Sequence, residues 1–327
     1  MNKFLKVIIV NLLILAAFLL IFEMALRIFW RMSALKEGIY RVSQNKTLRY
    51  ELKPNIRATY ACKEIITNSA GFRGQEFSIQ KNPGVYRIIL IGDSVAFGKL
   101  LSFEDTIGER LKSALAAACP AKKFEVFNMG VEGYNSIQEL ELLKTKALKY
   151  NPDLVIVYYC FNDPENPEYY FKKNFLTLHS QLARYILHKS QKYKFKKEKK
   201  KKGIKNIEEN FRYLYSTDCW KHTKEAIMEM GDLTAAKGIK MILLIVPEMS
   251  APVKDFGDGY PFLYINEKLE GIKHSNITVI DPIREFSRLG LKKEGLVAWA
   301  YPIREANDII AGYTIAKFKE NNINFCE

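Results

Sequence analysis

Ile88-Ile-Leu-Ile-Gly92-Asp93-Ser94-Val-Ala-Phe-Gly98 is an apolar, β-branched run that stops in a small-residue turn carrying one serine. The run reads as a buried strand. The turn then delivers a hydroxyl to the carboxyl edge of a sheet, where open α/β folds keep their ligand crevice. Ser94 is therefore the nucleophile candidate. A bare strand-ending turn followed by a helix cap would give the same tripeptide without chemistry, so the neighbouring segments have to decide between the two.

Working outward, strand and helix patterns alternate from Tyr86 to the C-terminus. Strands are predicted at Tyr86–Ile91, Phe124–Phe127, Leu154–Tyr159, Met241–Val246 and Ile277–Ile280. Helices are predicted at Glu104–Ala118, Ser136–Tyr150, Trp220–Lys237, Pro261–Leu269 and Glu305–Glu320. Alternation of this kind predicts an α/β domain over residues 85–327, a flavodoxin-like three-layer fold with a central parallel sheet of about five strands. One stretch, residues 164–217, breaks the rhythm and reads as an insertion rather than a second domain.

Residues 1–31 open with Lys3 and Lys6, run uncharged from Val7 to Phe22, and continue helically through Glu23, Arg27 and Arg31. Glu23 and Arg27 are spaced to pair on one helix face, and no small-residue cleavage site follows. The segment reads as an uncleaved signal anchor, a transmembrane helix over about residues 4–31, with a cleaved signal peptide as the alternative. Basic residues flank it on both sides, so charge alone does not set its orientation. Residues 32–84 lack sustained periodicity and contain Pro54, Gly71, Gly74, Pro83 and Gly84, as a stalk or extended wrap would. Within them Asn68-Ser-Ala-Gly-Phe-Arg-Gly74 reads as a structural turn whose Phe72 packs while Arg73 points outward.

The composition, 48% apolar with 20 Phe and 18 Tyr, is ample for a buried core. A net charge of +14 suggests nucleic acid, but Lys189–Lys205 carries +9 of it and the remainder only +5. That block reads as a solvated loop, with contact to an anionic surface as the sharper alternative. Specific nucleic-acid binding is not expected, because only Tyr193 and Phe195 are available to stack. The five cysteines, Cys62, Cys119, Cys160, Cys219 and Cys326, show no metal-type spacing. Neither a metal nor a cofactor is expected.

Three strand ends carry the chemistry. Ser94 follows the first strand, Asn128-Met-Gly130-Val-Glu-Gly133 the second, and Cys160-Phe-Asn162-Asp163 the third. In a parallel sheet they emerge at one edge, so a hydroxyl, a glycine-rich backbone turn and an amide converge. These are the parts for acyl transfer, a nucleophile with N–H donors where the oxyanion develops.

With these motifs, the chain resembles the SGNH, or GDSL, hydrolases, and in particular their membrane-anchored bacterial members. The resemblance runs from about Asn68 to Lys317, insertion excepted. It includes Glu104-Asp105-Thr106 and Asn151-Pro-Asp-Leu-Val-Ile156 beside the motifs already quoted. It implies that Ser94 is the nucleophile and that its N–H, the N–H of Gly133 and the Asn162 side chain form the oxyanion hole. It implies substrates such as acylated cell-surface glycans, lipids or small esters, and an extracytoplasmic domain held at the membrane. The family usually places Gly where Cys160 stands. Its closing Asp-x-x-His-Pro motif is represented here by Ala298-Trp-Ala-Tyr301-Pro302, with Ile310 and Ala311 in register. The acid and the base are thus replaced by Ala298 and Tyr301. An unperturbed phenol has a pKa of about 10 and is neutral at pH 7, so Tyr does not simply stand in for His. The four histidines, His179, His188, His222 and His274, read as surface or structural residues; His179 or His188 folding over from the insertion, with Asp163 or Glu305 nearby, is the alternative source of a base. Two functions follow from this pattern: an ester hydrolase or acyltransferase using Ser94, or a catalytically impaired domain kept as a binding or assembly module in envelope polysaccharide handling.

Overall fold

The computed structural model describes residues 3–26, 38–165, 180–250, 252–257, 259–298 and 301–326. The chain divides into two compact units, Met1–Gly38 with Glu168–Lys205, and Ile39–Pro167 with Asn206–Glu327.

The larger unit begins with two antiparallel hairpins, β1 (Tyr40–Val42) with β2 (Tyr50–Leu52), then β3 (Arg57–Tyr60) with β4 (Lys63–Ile66). Sequence periodicity misses them because strands of three or four residues are too short to register. The second hairpin turns on Ala61 and Cys62, both left-handed at φ 50° and 62°. Asn-Gly would ordinarily mark such a turn; Ala-Cys marks nothing.

The core is a five-stranded parallel sheet: β5 (Val85–Gly92), β6 (Lys123–Asn128), β7 (Leu154–Tyr159), β8 (Lys240–Ile245) and β9 (Ile277–Ile280), ordered β6-β5-β7-β8-β9. The predicted strands agree to within a residue or so, because a parallel sheet covered on both faces demands continuous apolar runs. All of β7 and Ile88–Ile91 of β5 are buried. The order reverses at β5, so crossovers leave it in both directions. Right-handed connections then place the helix after β5 on one face and the helices after β6 and β7 on the other. Ile107–Ala118 packs against Arg304–Glu320, and Ser136–Leu142 against Asp218–Ala235. The helix expected to reach Tyr150 is α-helical only to Leu142, then widens into a π turn over Leu143–Ala147 and tightens again over Leu148–Tyr150. A disulfide between Cys119 and Cys326, Cα atoms 5.6 Å apart, ties the end of the Ile107–Ala118 helix to the C-terminal segment. Register matters for the site. Leu90 pairs with both Asn128 and Ile156, so the turns after β5, β6 and β7 start nearly level.

In the smaller unit, helix Lys3–Ala25 has a mean hydropathy of 2.8 and is long and apolar enough to cross a membrane. At 1.5 Å per residue it spans roughly 35 Å. The expected Glu23–Arg27 pair lies outside the described residues. Glu23 accepts from Ser180 Oγ at 3.0 Å and Leu182 N at 2.8 Å, at the start of a second helix, Gln181–Lys201. The lysine block is therefore helical over most of its length rather than a loop. Ser180 caps the helix by accepting from Ala183 N, lysine is a good helix former, and no Gly or Pro intervenes before Gly203.

Candidate active site

β5 ends at Gly92, where only glycine fits: a side chain would collide with Ala96 Cβ at 2.7 Å and Tyr158 O at 2.8 Å. Asp93 then caps a single helical turn, Ser94–Phe97, accepting from Val95 N at 2.8 Å. Gly98 closes that turn in the left-handed region at φ 77°. Arg73 is buried, not outward as the turn-rich sequence suggests. Its guanidinium donates to Phe97 O (3.0 Å), Gly98 O (2.7 Å) and Leu101 O (2.7 Å), and so clamps the backbone that follows Ser94. Burial, opposed by Glu104, draws its pKa to about 10, which leaves it charged at neutral pH. The loop carbonyls satisfy that charge, which explains why the chain puts it inside.

The turn after β6 packs directly on the Ser94 helix. Asn128 Nδ2 donates to Ala96 O at 2.6 Å, and Asn128 Oδ1 accepts from Gly130 N at 2.9 Å. A Cβ on Gly130 would stand 2.4 Å from Phe97 N, so only glycine fits. Gly133, at φ 81°, lies under the Tyr50 hydroxyl, which donates to Glu132 O at 2.7 Å.

The turn after β7 converges on the same point. Asp93 Oδ2 accepts from Ser94 Oγ at 3.2 Å and from Asn162 Nδ2 at 3.3 Å, while Asp93 Oδ1 accepts from Cys160 Sγ at 3.1 Å. One carboxylate thus gathers residues from two strand ends. Beneath it lie two more buried acids. Asp163 accepts from Ser136 Oγ at 2.9 Å, and Glu139 lies close to Asp163 and Asp93. Burial first, then repulsion among these acids and Asp93, pushes the Glu139 and Asp163 carboxyls well above the usual range. Burial and the same acids push the Cys160 thiol up as well.

Tyr301 and Ala298 face each other across a two-residue hairpin, β10 (Val297–Ala298) with β11 (Tyr301–Pro302), just ahead of helix Arg304–Glu320. Lys99, on the loop after Ser94, stands with Nζ 5.5 Å from the Tyr301 ring centroid. Lys99 Nζ also pairs with Glu132 Oε1 at 2.8 Å. The other oxygen of Glu132 accepts from Tyr60 OH at 2.5 Å and Tyr40 OH at 3.3 Å. Burial lowers the Lys99 pKa, but Glu132 with Tyr301 outweighs it and holds the ammonium above its ordinary value.

Among the described residues, neither His222 nor His274 contributes anything comparable. His274 pairs with Asp232 at 3.0 Å, and His222 is exposed on helix Asp218–Ala235. His179 and the His188 side chain lie outside the described residues. Glu305 is exposed. Sequence reading assigned no role to Lys99, Glu132 or Tyr60. Lys99 and Glu132 sit within or beside the quoted motifs and were visible there. Tyr60 comes from a hairpin with no sequence signal.

Fold and site together define an α/β domain that presents a serine, an amide and a glycine-rich turn at one edge of a parallel sheet. Solved structures with a similar fold include a lipase from a goat rumen metagenome (14% identity, TM-score 0.47, covering 71% of this chain and 96% of that one). A psychrotrophic esterase from Pseudoalteromonas is similar at 13% identity and TM-score 0.42 (73% and 99%). A GDSL-like lipase from Bacteroides thetaiotaomicron is similar at 14% identity and TM-score 0.39 (72% and 88%). No protein-family model and no curated protein sequence matches the chain.

Proposed function

We propose that this protein is a membrane-anchored hydrolase or acyltransferase of the SGNH type, acting on ester-linked acyl groups through Ser94. The observation that carries the reading is the shared contact of Ser94 and Asn162 with Asp93 Oδ2, at the point where the strand order reverses. Ser94 Oγ attacks the acyl carbonyl, and the developing oxyanion is held by the Ser94 N–H, the Gly133 N–H and Asn162 Nδ2. The alcohol leaves, and the acyl group on Ser94 passes to water or to an acceptor hydroxyl. Helix Lys3–Ala25 supplies the anchor. The Cys119–Cys326 disulfide supports an oxidising, extracytoplasmic setting. Acylated glycans, lipids and small esters are the substrate classes.

A second reading, a catalytically impaired binding or assembly module, is favoured by one observation. Ala298 and Tyr301 occupy the positions where an Asp–His pair is expected, and neither His222 nor His274 is placed to serve Ser94.

The two separate in one experiment. The full chain in detergent is treated with a serine-reactive fluorophosphonate and with p-nitrophenyl acetate, beside Ser94→Ala. Labelling and hydrolysis that vanish in the variant support the enzyme. A wild type that is not labelled between pH 6 and pH 10.5 leaves the binding module.

A further inference from the structure

We propose that the lysine-rich helix Gln181–Lys201 is a membrane-surface element that binds the anionic phospholipid headgroups around the protein's own anchor. The inference rests on the reading of helix Lys3–Ala25 as that anchor and is independent of the chemistry at Ser94.

Contacts within the smaller unit put the lysine helix at the membrane boundary. Its first residues meet the last turn of helix Lys3–Ala25, where Glu23 accepts from Ser180 Oγ at 3.0 Å and from Leu182 N at 2.8 Å. One residue earlier, the Phe22 ring stands edge-on to Tyr185, with centroids 6.4 Å apart and planes at 85°. Lys189 Nζ lies 5.4 Å from the centroid of that same Tyr185 ring. The first lysine of the block is therefore one aromatic ring away from the end of the apolar helix. Residues 3–22 of that helix are all exposed, so the lysine helix leaves its end rather than packing along it. With the apolar helix in a bilayer, Tyr185 stands at the interfacial depth that tyrosine favours.

The distribution of side chains decides what the helix can touch. Ile186, Lys189, Tyr193, Lys197 and Lys200 follow at spacings of three, four, four and three residues, which lines them up on one face. All five are exposed, Ile186 by 58% and Tyr193 by 68%. Lys196 and Lys201, exposed as well, flank the stripe, and the block's one acid, Glu198, falls to its side. Lysines alone would suit a solvated helix or a soluble polyanion equally. An aliphatic and a tyrosine side chain set among them favour an interface, where these sink below the phosphates while the ammonium groups stay at phosphate level.

Electrostatics then acts at short range. Attraction between a basic segment and an anionic surface fades within a Debye length, about 10 Å at 0.1 M salt. The anchor holds the start of the helix at that surface, so docking is intramolecular and draws on a high effective concentration.

The test is lysine acetylation of the full chain by acetic anhydride, a neutral reagent, read site by site by mass spectrometry. The chain is held in nanodiscs of phosphatidylcholine alone, or of two parts phosphatidylcholine to one part phosphatidylglycerol. A surface potential of about −30 mV concentrates protons about threefold, so acetylation of Lys189, Lys197 and Lys200 is expected to slow by at least that factor in the anionic discs. In about 1 M salt the Debye length falls to about 3 Å, and the difference is expected to vanish. The triple variant Lys189→Gln, Lys197→Gln and Lys200→Gln, checked for folding by circular dichroism, is expected to bring the Lys196 and Lys201 rates in the two discs back together. Equal rates for wild type in the two discs overturn the proposal while the anchor stands. Slowing that persists in 1 M salt or in the triple variant overturns it too. Slowing caused by inorganic polyphosphate in the zwitterionic discs, and not by phosphatidylglycerol, assigns the helix to a soluble polyanion instead. If the chain is not retained in either disc, the anchor and the proposal both fall.

Discussion

Lys99 Nζ lies 2.8 Å from Glu132 Oε1, joining the loop after Ser94 to the glycine turn after β6. The pair is largely enclosed, with the two side chains 25% and 7% exposed, so its charges are not left to solvent screening. Tyr60 and Tyr40 complete the carboxylate's partners from the N-terminal hairpins. The segment ahead of the core sheet is therefore built into the wall of the candidate site.

Tyr60→Phe removes an O–H donor from a buried carboxylate. It should cost about 1–3 kcal/mol, the range for hydrogen bonds to charged groups. Urea unfolding of Tyr60→Phe, Glu132→Gln and the double variant should give a coupling energy above about 0.5 kcal/mol. Simple additivity would mean the hairpin does not bear on Glu132.

Gly130→Ala places a methyl 2.4 Å from Phe97 N, a backbone atom that cannot step aside without moving the Ser94 helix. It should destabilise the protein by about 1–3 kcal/mol, the cost of overpacking, and slow fluorophosphonate labelling of Ser94 at least tenfold. Gly108→Ala is the control. Its Cβ would meet nothing nearer than Asn128 at 3.4 Å, ordinary van der Waals contact, so little change in stability is expected. Equal labelling rates in the two variants would separate the β6 turn from the site.

Asp281 accepts from Asn266 Nδ2 at 2.7 Å and Ile283 N at 2.9 Å, yet burial pushes its pKa up to about 6 from an ordinary 3.8. Between those values the folded protein holds a proton that the unfolded chain has released, so this group's contribution to stability falls as pH rises from about 4 to about 6. Above that range the penalty is constant. Asp281→Asn should therefore gain stability over wild type at pH 7.5 and lose most of the gain at pH 4. Thermal unfolding at the two pH values reads the difference, of order 1–3 kcal/mol. A gain that is the same at both would refute the buried charge.

Cys119 and Cys326 close a loop with a sequence separation of 207 residues. Reduction, or Cys119→Ala, should cost about 2–5 kcal/mol by freeing the unfolded chain. Peptide mapping without reductant should recover the linked pair, and free thiols at both positions would count against an oxidising compartment.

Native alkylation should sort the remaining thiols. Cys62 is exposed at a hairpin tip and should react first with iodoacetamide at pH 8. Cys160 is buried against Asp93, its thiol held protonated, and should react only on unfolding. Early modification of Cys160 would mean that the floor of the site opens.

The core sheet was legible because each of its strands is one continuous run of Val, Ile, Leu or aromatic residues, a pattern that needs no knowledge of partners. The meeting of Ser94 and Asn162 at Asp93 was legible for a related reason. Each follows such a run in a short turn, and parallel strands put such turns on one edge. The N-terminal hairpins were not legible, since their strands are too short for periodicity and Ala61-Cys62 carries no turn signal. The lysine block misled in the other direction. Its charge suggested a loop, but charge does not oppose a helix whose side chains reach solvent.

By itself, then, the sequence determined the α/β alternation, the serine at the first strand's end and the apolar N-terminal helix. Only the tertiary structure decided what surrounds that serine. Tyr60 and Glu132 are 72 residues apart, Lys99 and Glu132 33 apart, and Tyr301 comes from the far end of the chain. No local pattern encodes their meeting. It follows from the register of three parallel strands and from a hairpin folded over their edge, because hydrogen bonds and charge pairing act through space.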